Sequence, residues 1–465
     1  MVETFWGYHS EWNLGSPGGW DYQRMTQEIA KVVWEKMNRI RPVGVDLDFD
    51  HPMLCPVKGF AEMLVDVQRR RDGSGPGVIA IVAEEETLTD VTENINIARR
   101  LDGFDGITGI LAAPHEFELD RQGRTTYQGQ PVSLVFMDFN NDVFLKLHRK
   151  HDLSPLMAAI RDNRVLNPRG TEPINVKSMF EVITGPYSDR FHPETVARTP
   201  WTRRFRPRKA TGPKGEPIDD LITWARAHWD DLVLKPERGY SGRGVFVGTV
   251  NPDADAAIET ALREENYILQ EKVPLDLWAE EIPELDEARK AVVLKRYQTD
   301  FRCLVGPDAV FGFLGRYGNV PTNVGSGGGV HPMGILRSDM SVRDAVHRIN
   351  DAIMAMPVGD VVELVGIQKA LALEKRFTYL LGPIRIALRP RVLTEAHLGA
   401  LASYSRAMWE DSRVLEQMWF DGVLDDYIDI EAEELEIARS QPWKGSPAIF
   451  AADGLFSFGA HPEAP

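Results

Sequence analysis

The sequence predicts a mixed α/β and α+β protein of two to four domains, and three observations predict it. The chain has 465 residues, which at about 100–200 residues per domain gives that count. Hydrophobic residues at 43% and charged residues at 26% are the composition of a folded globular chain rather than a disordered or fibrous one. Short apolar runs of strand length alternate with helical periodicity through residues 78–184. Strands then dominate, and the pattern finally turns helical.

The first 75 residues are mixed in pattern and end at Gly73-Ser74-Gly75-Pro76-Gly77, a plain loop signal. After it, Val78 to Val82 reads as a buried strand, Leu88 to Leu101 as an amphipathic helix and Ile107 to Leu111 as another strand. Phe117 to Phe139 reads as a hairpin with Gly123 at its turn. Residues 76–185 are therefore expected to form a small α/β domain. The stretch Pro186 to Pro217, with WTRRFRPRK from Trp201, reads as a connector or an anion-facing loop. From Leu232 to about Phe313 strands dominate, with one helix near Ala254 to Arg263, inside a region expected to span residues 186–340. Residues 341–465 are expected to be helical, with Leu398, Leu401, Met408, Leu415 and Met418 on one core-facing side.

Charge and cysteine content narrow the partners. Lys and Arg number 53 against 69 Asp and Glu, a formal charge of −16. A chain this acidic lacks the broad basic face that duplex nucleic acid requires, while a few local Arg and Lys still suffice for a small anion. The two cysteines, Cys55 and Cys303, build neither a disulfide framework nor a four-Cys zinc site. The start MVETFWGYHSEWN has no basic region followed by an apolar one, as a secretory leader would. No run approaches about 18 apolar residues, so no membrane span is expected and a cytoplasmic location is the default. His148 and His151 flank Arg-Lys with no accompanying Cys, and they read as a solvated helix end rather than a zinc site.

Three segments carry chemistry. In DLVLKPERGYSGRGVFVG, Asp231 to Gly248, a buried strand delivers Lys235 into a glycine-rich loop, and a second strand begins at Val245. Gly239, Ser241, Gly242 and Gly244 leave backbone N–H groups open to phosphate oxygens while Lys235 supplies positive charge. The loop lacks Gly-Lys-Ser/Thr and is followed by no helix, so it is neither a Walker A loop nor a Rossmann fingerprint. A generous hairpin loop is the plain alternative.

In ENYILQEKVP, Glu265 to Pro274, a short strand ends in polar residues. Residues 270–273 could serve as a nucleotide hinge, with Gln270 or Glu271 taking the adenine amino group and Val273 beside it. A strand with a polar end is the alternative. In Thr299 to Pro332, Asp300 and Arg302 lie two apart on one strand face, and Arg316, Asn323 and the loop 325–329 follow. Two arginines and a glycine-rich flap suit a transferring phosphoryl group, which needs fixed positive charge and a lid.

The order Lys-Pro, glycine-rich loop, Gln-Glu-x-Val and Asp-x-Arg followed by Asn resembles the ATP-grasp enzymes. More narrowly, it resembles the circularly permuted group that includes glutathionylspermidine synthetase-like proteins. GYHSEWNLGSPGGWDYQRM, Gly7 to Met25, is similar to that group's Glu-x-Asn strand and Ser-Pro-Gly turn. Residues 78–184 resemble its pre-ATP-grasp domain, with Glu84 to Glu86 at a strand's end, and NPRGTEPINVKSMFEVIT resembles its lysine-bearing helix start. A solvated helix lysine is the plain reading of Lys177.

The resemblance implies an ATP-grasp fold with a preceding small α/β domain and a helical C-terminal segment. It implies an ADP-forming carboxylate–amine ligase, with ATP and Mg²⁺ as cofactors and a small carboxylate and amine as substrates. Lys177, Lys235 and the 239–244 loop would hold phosphates, and Gln270, Glu271 and Val273 adenine. Glu11, Asn13 and Asp300 would hold Mg²⁺, with Asp453 as the rival third ligand. Arg302 and Arg316 would act on the transferred group, and Asn323 with the 325–329 loop would cover it.

Two other readings stand beside this one: a phosphotransferase on a small molecule, and an inactive ATP-binding scaffold. In relatives, a stretch like Arg389 to Pro465 precedes the Glu-x-Asn strand instead of ending the chain. The two termini are therefore expected to lie together, or else a homodimer fills the gap with a second copy's tail.

Overall fold

The computed structural model describes residues 6–16, 18–239, 244–274, 279–307, 309–319, 322, 324, 327–379, 382–440 and 454–461. The fold is a mixed α+β one with several sheets, of which three position the candidate site.

The parallel sheet contains Gly77–Val82, flanked by Ile107–Ala112 and Gln130–Met137, with Val165–Leu166 beyond the latter. Every residue of Gly77–Val82 is buried, as its unbroken apolar sequence requires of a strand covered on both faces. The Phe117–Phe139 segment departs from a single hairpin. Gly123 (φ 77°) does turn Phe117–Leu119 into Thr125–Tyr127. A second turn at Gln128-Gly129 then leads into Gln130–Met137, which crosses into the parallel sheet. The helix expected from Leu88 begins at Thr92, because the acidic run at Glu85–Thr87 forms a short 3₁₀ turn instead.

A four-stranded antiparallel sheet follows, in the order Phe246–Val247, Leu232–Pro236, Tyr267–Glu271, Thr202–Arg204. It packs against the Leu221–Ala227 and Ala254–Glu264 helices around Trp201, Leu234, Ile258 and Leu269.

The largest sheet is built on the 15-residue strand Ala291–Val305, the central strand from here on. Its outer half pairs with Ala279–Asp286 and its inner half with Val310–Gly318. On the other side the inner half pairs with Gly454–His461, which pairs in turn with Trp6–Asn13. The first and last described strands are thus neighbours within one sheet. This corrects the expectation of an all-helical end, since residues 454–461 extend where a helical pattern precedes them.

Both faces of the central strand's inner half are buried. Phe301, Cys303, Val305 and Phe313 pack on the Glu395–Phe420 helix, while Leu304 and Leu314 pack on Trp20, Phe60 and Leu64. In that helix Leu398, Leu401, Met408, Leu415 and Met418 are all buried, as their spacing predicted. Thr394 caps its start, accepting from the His397 N–H at 3.2 Å. His9 ties the first strand to it. Its ring nitrogens contact Tyr404 Oη at 2.8 Å and Thr199 Oγ1 at 3.0 Å, and burial lowers its pKa to about 3. Among the described residues no helix is long and apolar enough to cross a membrane.

Candidate functional site

The first half of the site grows from one face of the four-stranded sheet. Lys235 lies opposite Ile268, two positions from Val233 opposite Gln270, so the Lys235 and Gln270 side chains share a face. Lys235 Nζ donates to Gln270 Oε1 at 2.7 Å, and Gln270 Nε2 donates to Thr202 Oγ1 at 2.9 Å. The Gln270 amide is buried and taken up by this row, so it is engaged with Lys235 and Thr202 rather than presented as a free hinge group. Glu271 is exposed, and its backbone N–H is bonded to Trp201 O. Val273 is half-buried just past the strand's end.

Lys177 reaches the same turn from elsewhere in the chain. Its backbone N–H donates to Glu237 O at 3.1 Å and its Nζ to Gly239 O at 3.1 Å. The structure therefore brings both lysines to the root of one glycine-bearing turn. Gly244 closes it with φ 71°, and a Cβ there would lie 2.8 Å from Tyr267 Oη. Ser241 and Gly242 lie outside the described residues. The turn's other fixings are ion pairs. Arg204 Nε donates to Glu237 Oε1 at 2.6 Å, and Arg238 forks onto Glu434 at 2.8 and 2.6 Å. Neither partnership is visible as a sequence motif.

The second half lies on the large sheet. Asp300 is opposite Arg316, and Arg302 is opposite Leu314 and Ser457. Ser457 is opposite Glu11, and Asn13 is opposite Leu455. One backbone register row thus runs Leu314, Arg302, Ser457, Glu11. The bulge at Ser10 falls before Glu11, so Glu11 and Asn13 keep their two-residue relation.

Asp300 receives a two-pronged bond from Arg316 at 2.8 and 2.7 Å and a third from Thr322 Oγ1 at 2.7 Å. Its carboxylate is therefore engaged by a guanidinium, and a cation there would have to compete with Arg316. Among the described residues no three His, Cys, Asp or Glu side chains gather to hold a metal. Asn323 and Asp453 lie outside the described residues, as do Gly325 and Ser326 of the flap.

The turn after the first strand is clamped from two sides. Leu14 and Gly15 are held by Asn167, Arg169, Thr171 and Asn175, all from the NPRGTEPIN segment. Ser16 Oγ donates to Asn140 Oδ1 at 3.0 Å. From the other side, Glu93 accepts the N–H groups of Gly19 and Asp21, both at 2.8 Å. Burial pushes the Glu93 carboxyl up to about 7, against the opposing pull of those two bonds. Nearby, burial pushes Asp138 up to about 6 while Asn94 donates to it at 2.7 Å.

Arg302 lies under this clamped turn, with Nη1 3.4 Å from Gly18 O. Tyr22 joins the same neighbourhood: burial and then the Glu93 charge raise its phenol pKa, and Arg302 opposes them. Glu93, Asp138 and Tyr22 were not singled out by the sequence. Their partners are main-chain groups and distant side chains, for which no spacing rule exists. His148 and His151 are exposed, as expected.

No family model matches this chain, and no curated protein matches it. Among solved structures it is similar to the apo form of a glutathione synthetase-like effector from Globodera pallida. The identity is 13% and the TM-score 0.43, over 68% of this chain and 72% of that one. That likeness is distant.

Proposed function

We propose that the chain is an ATP-dependent, ADP-forming carboxylate–amine ligase working through an acyl phosphate. The observation that carries this reading is the convergence of Lys177 and Lys235 on one glycine-bearing turn. Two lysines at the root of such a turn offer fixed charge and open N–H groups to a triphosphate. In this reading residues 76–185 serve the substrate side, residues 186–340 hold the nucleotide, and residues 341–465 complete the sheet around the first strand.

Magnesium, when bound, neutralises phosphate charge. Glu11 and Asn13 carry the oxygen donors that this hard cation prefers. Asp300 would join them only by leaving Arg316, which keeps Asp453 as the alternative. The substrate carboxylate oxygen attacks the γ-phosphorus; an O–P bond forms and the bond to the ADP oxygen breaks. The amine nitrogen then attacks the acyl carbon, the C–N bond forms and phosphate departs, with the surplus nitrogen proton passing to phosphate or solvent. Arg302 and Arg316 supply positive charge to the phosphoryl group and then to the tetrahedral oxyanion.

Titration with Mg-ATP, followed by ADP release with panels of amino acids and polyamines and mass analysis of products, tests this. ADP release that needs both a carboxylate and an amine supports the ligase. Full amine-dependent release by Lys235→Ala or Arg302→Ala would overturn the assignment. Release without an amine, yielding a phosphorylated product, would make the chain a phosphotransferase. Binding with no release from any pair would make it an ATP-binding scaffold.

A further inference from the structure

We propose that Glu434, on the Ala432–Ser440 helix, is a positioning residue for the candidate phosphate turn. It acts through the Arg238 fork. The ligand in this inference rests on the ATP reading above, whereas the geometry does not.

Three consecutive residues of the turn are each gripped from a different part of the chain. Glu237 is held by Arg204 and by the Lys177 N–H, and Gly239 by Lys177 Nζ. Arg238, between them, is held by both oxygens of Glu434. Arg204 extends the link toward the tail, donating to Asp426 O at 2.9 Å and approaching Asp429 at 3.3 Å.

Glu434 stands on a firm platform. Its helix sends Ile437 into the core of the parallel sheet and Ala438 into the core beneath the large sheet. The helix packs on the 169–174 segment that clamps Leu14 and Gly15, and on the Asn141–His148 helix. Glu434 is 2% exposed. A carboxylate at that depth needs partners for its charge, and a two-pronged fork onto a guanidinium fixes direction as well as distance. A glycine-rich turn has backbone freedom to lose when it binds phosphate, so holding it in place beforehand favours binding. The adjacent Glu433 pairs instead with Arg149 at 2.8 Å, with both side chains more than half exposed.

The test uses the full chain with Glu434→Gln, Arg238→Lys and Glu433→Gln. Lysine keeps the charge at 238 but cannot make the two-pronged contact. Both hydrogen exchange at residues 237–239 and 244–247 and Mg-ATP affinity are read. Glu434→Gln and Arg238→Lys are expected to speed exchange at the turn and weaken Mg-ATP binding about ten-fold; Glu433→Gln is expected to change neither. Arg238→Lys decides alone if Glu434→Gln does not fold, since the Arg238 side chain is partly exposed and the helix keeps its carboxylate. Folded variants with wild-type exchange and affinity would overturn the proposal. A wild-type protein that fails to bind Mg-ATP would sink the ligase reading, while the exchange data would still decide whether Glu434 holds the turn.

Discussion

Asp300 and Arg316 meet with almost no water present, at 9% and 5% exposure. Removing one charge of such a pair strands the other, so Asp300→Asn is expected to cost about 3–5 kcal/mol of stability. An unchanged urea midpoint would count against that. The two-residue spacing of Asp300 and Arg302 was legible in the sequence, because strand alternation is local. The partner of Asp300 was not, because it depends on the register of a hairpin.

Glu93 was illegible for a similar reason. Its acceptors face N–H groups 72 and 74 residues upstream. Its folded pKa of about 7 lies above the ordinary carboxyl value of 4.5. The folded state therefore binds its proton more tightly, and this site's contribution to stability falls as pH rises from about 4.5 to about 7. Glu93→Gln abolishes that titration. The stability of wild type relative to Glu93→Gln should thus decline over this window by a few kcal/mol, on the order of 1.4 per pH unit. Chemical denaturation at several pH values reads it directly, and a constant difference would contradict it.

Among the elements, those with local signatures were the readable ones. Gly77–Val82 is an unbroken apolar run, and the Glu395–Phe420 helix repeats its apolar side over seven turns' worth of chain with a capping threonine before it. Met408, fully buried in that helix, faces the large sheet's core. Met408→Ala should therefore cost about 2–5 kcal/mol, measured by the shift in the unfolding midpoint.

The clamped turn after the first strand is an element of another kind, defined by what closes over it. A Cβ at Gly15 would lie 2.5 Å from Glu172 Oε1 and 2.6 Å from Asn140 Oδ1. Gly15→Ala is thus expected to push both residues away and loosen the clamp. Faster hydrogen exchange across residues 14–21 and 167–175, with the Glu395–Phe420 helix unchanged, is the expected pattern. The Ser-Pro-Gly turn beside this glycine was noted from the resemblance, but the segment that closes on Gly15 lies about 150 residues later.

At the scale of the whole molecule, the large sheet depends on its two ends. The first strand has the last as its neighbour, and the last also pairs with the central strand. Deleting residues 441–465 removes that neighbour and exposes two unpaired edges, which favour association between chains. The shortened protein is expected to melt lower and to aggregate. A synthetic peptide spanning residues 448–465 should restore part of the loss, and a shortened protein as stable and monomeric as the full one would refute this. That the ends would lie together followed from reading the tail and the start as continuous text. That the tail would be extended did not follow, since its eight-residue strand comes after a long helical pattern.

The same pairing dictates how the protein answers to force. Trp6 sits opposite His461, and the strands run antiparallel. Trp6 and His461 therefore lie at the same end of one ladder. A pull on the two termini loads that ladder rung by rung, beginning at Trp6 and His461, instead of shearing all its hydrogen bonds at once. The strand joining start to finish should be the first part to unzip, at low load, while the parallel sheet around Gly77–Val82 stays intact.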